Sequence, residues 1–185
     1  MEDQKILELF FERSEQAIRE MDAKYGKDCH RLANNILKDQ LDAEECVNDA
    51  YLGAWNAIPP AKPDPLSAYL YKIVRNISLK RYYANTAVKR NSSYDAAMEE
   101  LENCLASSNT VESEMETKEL VRIIEAFLDT LSLENRVIFL RRYWFSDPYA
   151  DIAARMGMTE KNVSVRLTRT RAQMRKYFLE RGVIV

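Results

Sequence analysis

The sequence predicts an all-α protein of two small helical domains joined by a flexible linker, the second domain containing a helix-turn-helix, and three observations support this. Only four glycines and five prolines occur in 185 residues, and four of the prolines fall between Pro59 and Pro65, so good helix formers run in long uninterrupted stretches. Apolar residues recur at helical spacing along most of the chain, with no alternating run of the kind a half-buried strand requires. The charge, −2 overall, is distributed in blocks. Residues 1–60 hold 13 acidic and 7 basic side chains, 61–90 hold 1 and 7, 91–120 hold 8 and 1, and 121–185 hold 7 and 12. Two basic surfaces are therefore available for phosphate, separated by acidic segments that keep the chain soluble.

The elements follow in order. Leu7, Phe10, Ala17, Met21 and Tyr25 keep helical spacing, and Cys29, Leu32, Ala33, Ile36 and Leu37 continue it, with Gly26 expected to separate or bend the two runs. Asp42-Ala-Glu-Glu45 has the layout of a helix start, followed by the apolar stripe Cys46, Val47, Ala50, Tyr51, Ala54 and Ile58. Pro59 and Pro60 end that helix, and the segment to Pro65 is a stiff extended loop because each proline fixes its own φ and restricts its predecessor. Ser67 is expected to cap the next helix, whose apolar face is Leu70, Ile73, Val74 and Ile77.

A stretch rich in Ser, Asn, Thr and Glu follows, with one short amphipathic segment at Tyr94, Met98, Leu101 and Leu105. The expected boundaries are a first domain at 1–90, an acidic linker at 91–118 and a second domain at 119–185. Helical spacing resumes at Leu120, Ile124, Phe127, Leu128 and Leu131, and again at Val137, Ile138 and Leu140. Asp147-Pro148 is expected to start a short helix and Thr159 to cap the last one. Ala153, Gly157 and Val163 are what two closely meeting helices need: a small residue, a turn residue that tolerates positive φ, and an apolar anchor. With Val163 and Leu167 inward, Lys161, Ser164, Val165, Thr168 and Arg169 face a major groove, or on the plainer reading a solvated face of an αα-hairpin.

Several classes are disfavoured. No apolar run approaches the roughly 20 residues of a membrane span, and the amino terminus lacks a signal-peptide layout, so a cytoplasmic protein is expected. Cys29, Cys46 and Cys104 form no disulfide or zinc pattern, and the first two read as core residues. No cofactor, metal site or catalytic residue is indicated. An all-α metal-dependent phosphohydrolase on Asp42, Glu45 and Asp49 would need a second carboxylate cluster and a phosphate loop, and the chain offers neither.

Asp42-Ala-Glu-Glu-Cys-Val-Asn-Asp-Ala-Tyr-Leu-Gly-Ala-Trp55 and Tyr69-Leu-Tyr-Lys-Ile-Val-Arg-Asn76 come first, and Leu131-Ser-Leu-Glu-Asn-Arg136, Ile152-Ala-Ala-Arg-Met-Gly157 and Val163-Ser-Val-Arg-Leu-Thr-Arg-Thr-Arg171 follow. In this order the sequence resembles the extracytoplasmic-function sigma factors of bacterial RNA polymerase, which direct promoter-specific initiation. The resemblance implies that Asp42, Glu45, Asn48 and Asp49 dock on the clamp helices of the largest polymerase subunit. It implies that Tyr69, Lys72, Arg75, Asn76, Lys80 and Arg81 engage the −10 element, where cations beside Tyr71, Tyr82 and Tyr83 suit an unpaired strand. The loop from Ile58 to Leu66 corresponds to the one that captures a flipped base.

The second domain is then expected to read the −35 element through Lys161, Asn162, Ser164, Val165, Arg166, Arg169 and Arg171, and to meet the polymerase flap region. Asn162 suits an adenine edge and Val165 a thymine methyl, while Arg166 and Arg169 hold phosphates. The chain departs from the family pattern at Tyr69, often Trp, at Lys80, often Asp, and in Thr159-Glu-Lys-Asn-Val-Ser-Val-Arg-Leu167, so base preferences do not transfer. An anti-sigma protein is a partner that family members often have. The alternative is a helix-turn-helix regulator that does not bind polymerase core.

Overall fold

The computed structural model describes residues 2–85, 92–103 and 114–183, with Cys104 and Leu105 outside them. The described residues are helical with connecting turns, in the order α1 (Asp3–Phe11), α2 (Gln16–Leu37), α3 (Gln40–Ala57), α4 (Leu66–Ala84), α5 (Ser93–Glu102), α6 (Glu114–Thr130), α7 (Leu133–Tyr143), α8 (Tyr149–Met156) and α9 (Glu160–Leu179). Two compact units result, Met1–Ser92 and Ser93–Val185. The all-α fold read from the sequence is the fold observed.

In the first unit α2, α3 and α4 pack pairwise against one another, with α1 laid on α2. Their inward faces are the periodic positions: Met21, Cys29, Leu32 and Ile36 from α2, Cys46, Val47, Ala50 and Ala54 from α3, and Leu66, Leu70 and Val74 from α4, all fully or almost fully buried. Burial in this apolar interior pushes the Cys29 thiol up to about 12, so it is an inert packing group. The run from Leu7 to Tyr25 is not one helix. It breaks after Phe11, where Arg13 takes a left-handed φ of 56°, and Arg13 then donates to the Trp55 carbonyl at 2.7 Å and stacks on that indole.

Gly26, expected to bend the chain, lies inside the continuous helix α2. A Cβ there would stand 2.3 Å from the Asp22 carboxylate, which accepts a 2.7 Å hydrogen bond from the Tyr51 hydroxyl of α3. The glycine serves close packing, not a turn. Two start signals were misplaced for a similar reason. Asp39, not Asp42, caps α3 by accepting from the backbone N–H groups of Leu41 and Asp42, and α4 begins at Leu66 after Pro65 rather than at a Ser67 cap.

The second unit gathers Phe127, Ile138, Phe139, Tyr143, Ile152, Val163, Leu167, Met174 and Phe178 around one core. Phe127 is 1% exposed and meets the rings of Phe139, Tyr177 and Phe178. Ser132 and Thr159 cap α7 and α9 as N-cap residues accept, from the N–H groups of Asn135 and Asn162. Asp147 does not cap α8, which starts after Pro148. It is fully buried and accepts from Arg141 at 3.3 Å.

The expected linker at 91–118 contains a structured piece. Helix α5 buries Tyr94 and Ala97 in the second unit, with Met98 and Leu101 against the same core, so the boundary between the units falls at Ser92. Its Glu100 receives five donors. Arg142 gives two hydrogen bonds, at 2.7 and 3.3 Å, Tyr143 and Tyr149 give one each, at 3.1 and 3.0 Å, and Arg171 gives one at 3.1 Å. Arg142, at 5% exposure, could not be buried without such a partner. Burial works against the ionised Glu100, but the Arg142 bonds and charge with the tyrosine hydroxyls outweigh it and hold the carboxyl below its usual range.

Two outcomes follow for stability. Phe127→Ala should cost about 3–5 kcal/mol, typical of emptying a closed aromatic site, and lower the melting temperature of the second unit's transition in calorimetry. A carboxylate with a lowered folded-state pKa contributes stability that is present above the unfolded value and lost as pH falls through the folded one. The melting temperature of the wild type should therefore exceed that of Glu100→Gln at pH 7, with the gap narrowing once pH falls below about 4.

Candidate docking and nucleic-acid surfaces

On α3 the residues opposite the core stripe are Leu41, Glu44, Glu45, Asn48, Asp49 and Leu52, all exposed. Leu41, Glu45, Asn48 and Leu52 follow at spacings of 4, 3 and 4, which places them on one face. The acidic patch expected from the sequence is therefore bracketed by apolar side chains that the sequence reading missed, Leu41 at 78% and Leu52 at 57% exposure. Periodicity alone could have found them, since both break the polar pattern of that face. Asp42 is not part of the patch. It is half-buried at the edge facing α4.

Arg81 on α4 accounts for that edge. Its guanidinium is forked on Glu45, at 2.7 and 2.6 Å, and also donates to Asp42 at 3.1 Å. Those hydrogen bonds, with the charge behind them, lower the Glu45 pKa and raise that of Arg81. A residue expected to hold DNA thus pairs with two residues expected to hold polymerase. Arg81 ties α3 to α4. Asp42 and Glu45 converge on a guanidinium rather than on a cation site with Asp49, and among the described residues no group of three or more His, Cys, Asp or Glu could hold a metal ion.

The remaining α4 candidates do share a face. Tyr69, Lys72, Asn76, Lys80 and Tyr83 follow at spacings of 3, 4, 4 and 3, with Lys72, Asn76, Lys80 and Tyr83 exposed and Tyr69 half-buried. Arg75 flanks this row, half-buried. Tyr71 turns inward, donating to Asp28 at 3.3 Å and packing edge-on against Tyr25. Tyr83 is 59% exposed and backed by the Tyr82 ring. Ahead of this helix, the proline loop and α1 enclose a cleft of about 540 Å³ whose walls include Leu7, Phe11, Lys62, Pro63 and Asp64. Lys62 lies over the Phe11 ring, and Glu2, Asp3 and Glu8 make the rim acidic.

In the second unit Gly157 ends α8 in the left-handed region at φ 63°, with Ala153 and Val163 buried beside the turn as the sequence predicted. Helix α9 then turns Lys161, Asn162, Val165, Thr168 and Arg169 outward, with Ser164 half-buried at the margin. The two other arginines assigned to DNA lie on its flanks. Arg166 donates to Glu134 at 2.6 Å and to Asn135 at 3.0 Å, both at the start of α7. Arg171 donates to Glu100 and, at 2.7 Å, to the Tyr143 hydroxyl, so it reaches toward α5 and α7. No helix among the described residues is long and apolar enough to cross a membrane.

Comparison with known proteins agrees with this layout. Residues 21–87 match the family described as Sigma-70 region 2, and residues 122–174 match Sigma-70, region 4, together about two thirds of the chain. A solved structure of CnrH in complex with the cytosolic domain of CnrY is 21% identical, with a TM-score of 0.45 over 96% of this chain and 97% of that one. No curated relative matches significantly. Region 2 spans α3 and α4 with their exposed stripes, and region 4 spans the helix-turn-helix. The chain belongs to the sigma-70 family, with the two-region architecture of the extracytoplasmic-function sigma factors, and it directs transcription initiation by RNA polymerase.

Proposed function

We propose that the three exposed stripes divide the work of initiation among them. The observation that carries this reading is their different chemistry: acidic with apolar ends on α3, cationic with an aromatic on α4, and cationic with short side chains on α9. The α3 stripe of Glu45, Asn48 and Asp49 between Leu41 and Leu52 suits basic, partly apolar helices, and its partner is the clamp helices of the largest polymerase subunit. The second unit meets the polymerase flap region. An anti-sigma protein that covers these stripes is the further partner the family leads one to expect.

The α4 row suits an unpaired strand. Lys72 and Lys80 neutralise backbone while Tyr83 and Tyr69 offer faces for bases, with Asn76 between them for an edge. The cleft beside the proline loop complements this. Its acidic rim repels phosphate, and its apolar floor suits a base pulled from the stack, whose amino group a carboxylate can accept from. Helix α9 enters the duplex further upstream at the −35 element, with Lys161, Asn162 and Val165 toward base edges and Arg169 toward phosphate. Run-off transcription with purified core polymerase on genomic fragments tests the whole assignment, because start sites mapped from it must share −10 and −35 elements.

Asp49→Lys and Leu52→Ser each lie on the exposed α3 face away from the Arg81 tie. Each should weaken core polymerase binding in a titration by about tenfold while leaving the circular dichroism spectrum unchanged. Unaltered binding by both would remove this face from the interface. Lys72→Ala should leave closed-complex formation on a promoter largely intact in a gel shift and reduce permanganate reactivity of the −10 thymines. A premelted template should restore the mutant, and failure of that rescue sinks the assignment of strand capture to α4.

A further inference from the structure

Helix α9 is held on both flanks by arginines that do not face the groove. Its outward row is centred near Lys161, Val165, Thr168 and Arg169, opposite the buried Val163, Leu167, Thr170 and Met174. Arg166 on one side reaches Glu134 and Asn135, and Arg171 on the other reaches Glu100 and the Tyr143 hydroxyl. Apolar burial is not directional, so a core of Leu, Met and Phe resists separation of α9 better than it resists a small roll about the axis. A guanidinium nitrogen that donates to two oxygen atoms, as Nη1 of Arg171 does to Glu100 and to the Tyr143 hydroxyl, is constrained in both distance and direction. The carboxylate on the Arg171 side comes from α5, which lies outside both family matches, while the Tyr143 hydroxyl beside it belongs to α7.

We propose that Glu100, on the segment between the two family-matched regions, is a positioning residue for promoter recognition. It sets the rotation of α9 through Arg171, and it is itself fixed by Arg142, Tyr143 and Tyr149, so that α5 completes the DNA-reading unit instead of merely preceding it. This rests on the reading of α9 as the duplex-binding helix. A rolled α9 still presents cations to phosphate, which tolerates displacement, but it misaligns Asn162 and Val165 with base edges, whose hydrogen-bond and contact geometry does not. Specificity, more than affinity for DNA in general, is what Glu100 protects.

The test uses holoenzyme assembled from core polymerase and the full chain. The probes are promoter fragments selected from a random pool by the wild-type holoenzyme, compared at fixed salt with the same fragments carrying a scrambled upstream element. Glu100→Gln should lower the ratio of selected to scrambled affinity by about tenfold, while Glu102→Gln, an equal charge change at an exposed site on the same helix, stays within about twofold. Arg171→Gln should give the same fall with an unchanged salt slope, and the double variant should fall no further than either single one. If Glu100→Gln fails to fold, Arg171→Gln alone decides.

An Arg171→Gln variant that loses affinity for both probes equally, with a salt slope reduced by about 1, would show a phosphate contact and overturn the proposal. An unchanged ratio in either folded variant overturns it as well. A wild-type holoenzyme indifferent to the scrambled element overturns the reading of α9 itself, which separates the two failures.

Discussion

Arginine side chains that cross from one helix to the next decide how each functional face is presented. Arg81 ties α4 to α3, Arg142 ties α7 to α5, and Arg166 and Arg171 tie α9 to α7 and α5. The cores determine which helices touch and supply the larger share of stability, because fully buried Leu, Ile and Phe side chains each contribute about 1.5–3 kcal/mol. A partly exposed ion pair contributes about 1 kcal/mol or less, so it does not hold the fold together. What it supplies is direction. A stripe that must meet a partner at a fixed angle needs its helix held against rolling, and a guanidinium bonded across to a neighbouring helix supplies that restraint.

This division explains which parts of the molecule could be read from the sequence. Core positions obey periodicity, so the helices around Cys46, Leu70, Phe127 and Leu167 were legible, and so was the turn at Gly157, where chemistry allows few residues. Helix starts were less so, because Asp39 and Asp42 are equally good caps in isolation and only the path of the chain from α2 selects the first. Gly26 looked like a hinge because the Asp22–Tyr51 hydrogen bond that crowds it joins residues 29 apart. The amphipathic pattern of α5 was visible at Tyr94, Met98 and Leu101, but an acidic, Ser-rich setting disguised it, and nothing local revealed that Glu100 would meet Arg142 and Arg171.

The candidate sites were legible in the same partial way. Exposed polar residues at helical spacing point outward, and Asn48, Asp49, Lys72, Asn76, Lys161 and Arg169 do so. Residues at the margins of a stripe are ambiguous, since a helical turn is not an integral number of residues. Arg81, Arg166 and Arg171 sit on such margins. The family resemblance groups them with the DNA-binding cations, and in the folded chain each also bonds a carboxylate on a neighbouring helix.

The alternation of acidic and basic blocks takes on a second meaning in this light. An acidic segment beside a basic one first appears as a solubility device, or as a competitor for phosphate. In the folded chain, part of each acidic block is used at close range: Asp42 and Glu45 from the first block neutralise Arg81 from the second, and Glu100 from the third neutralises Arg142 and Arg171 from the fourth. Lys72 and Lys80 on α4 and Lys161 and Arg169 on α9 are left exposed on the outward rows of those helices. A net charge of −2 is therefore no obstacle to binding an anionic polymer. Counterion release depends on the local density of unpaired cations along a surface, and the paired ones have already been taken out of that count by the fold.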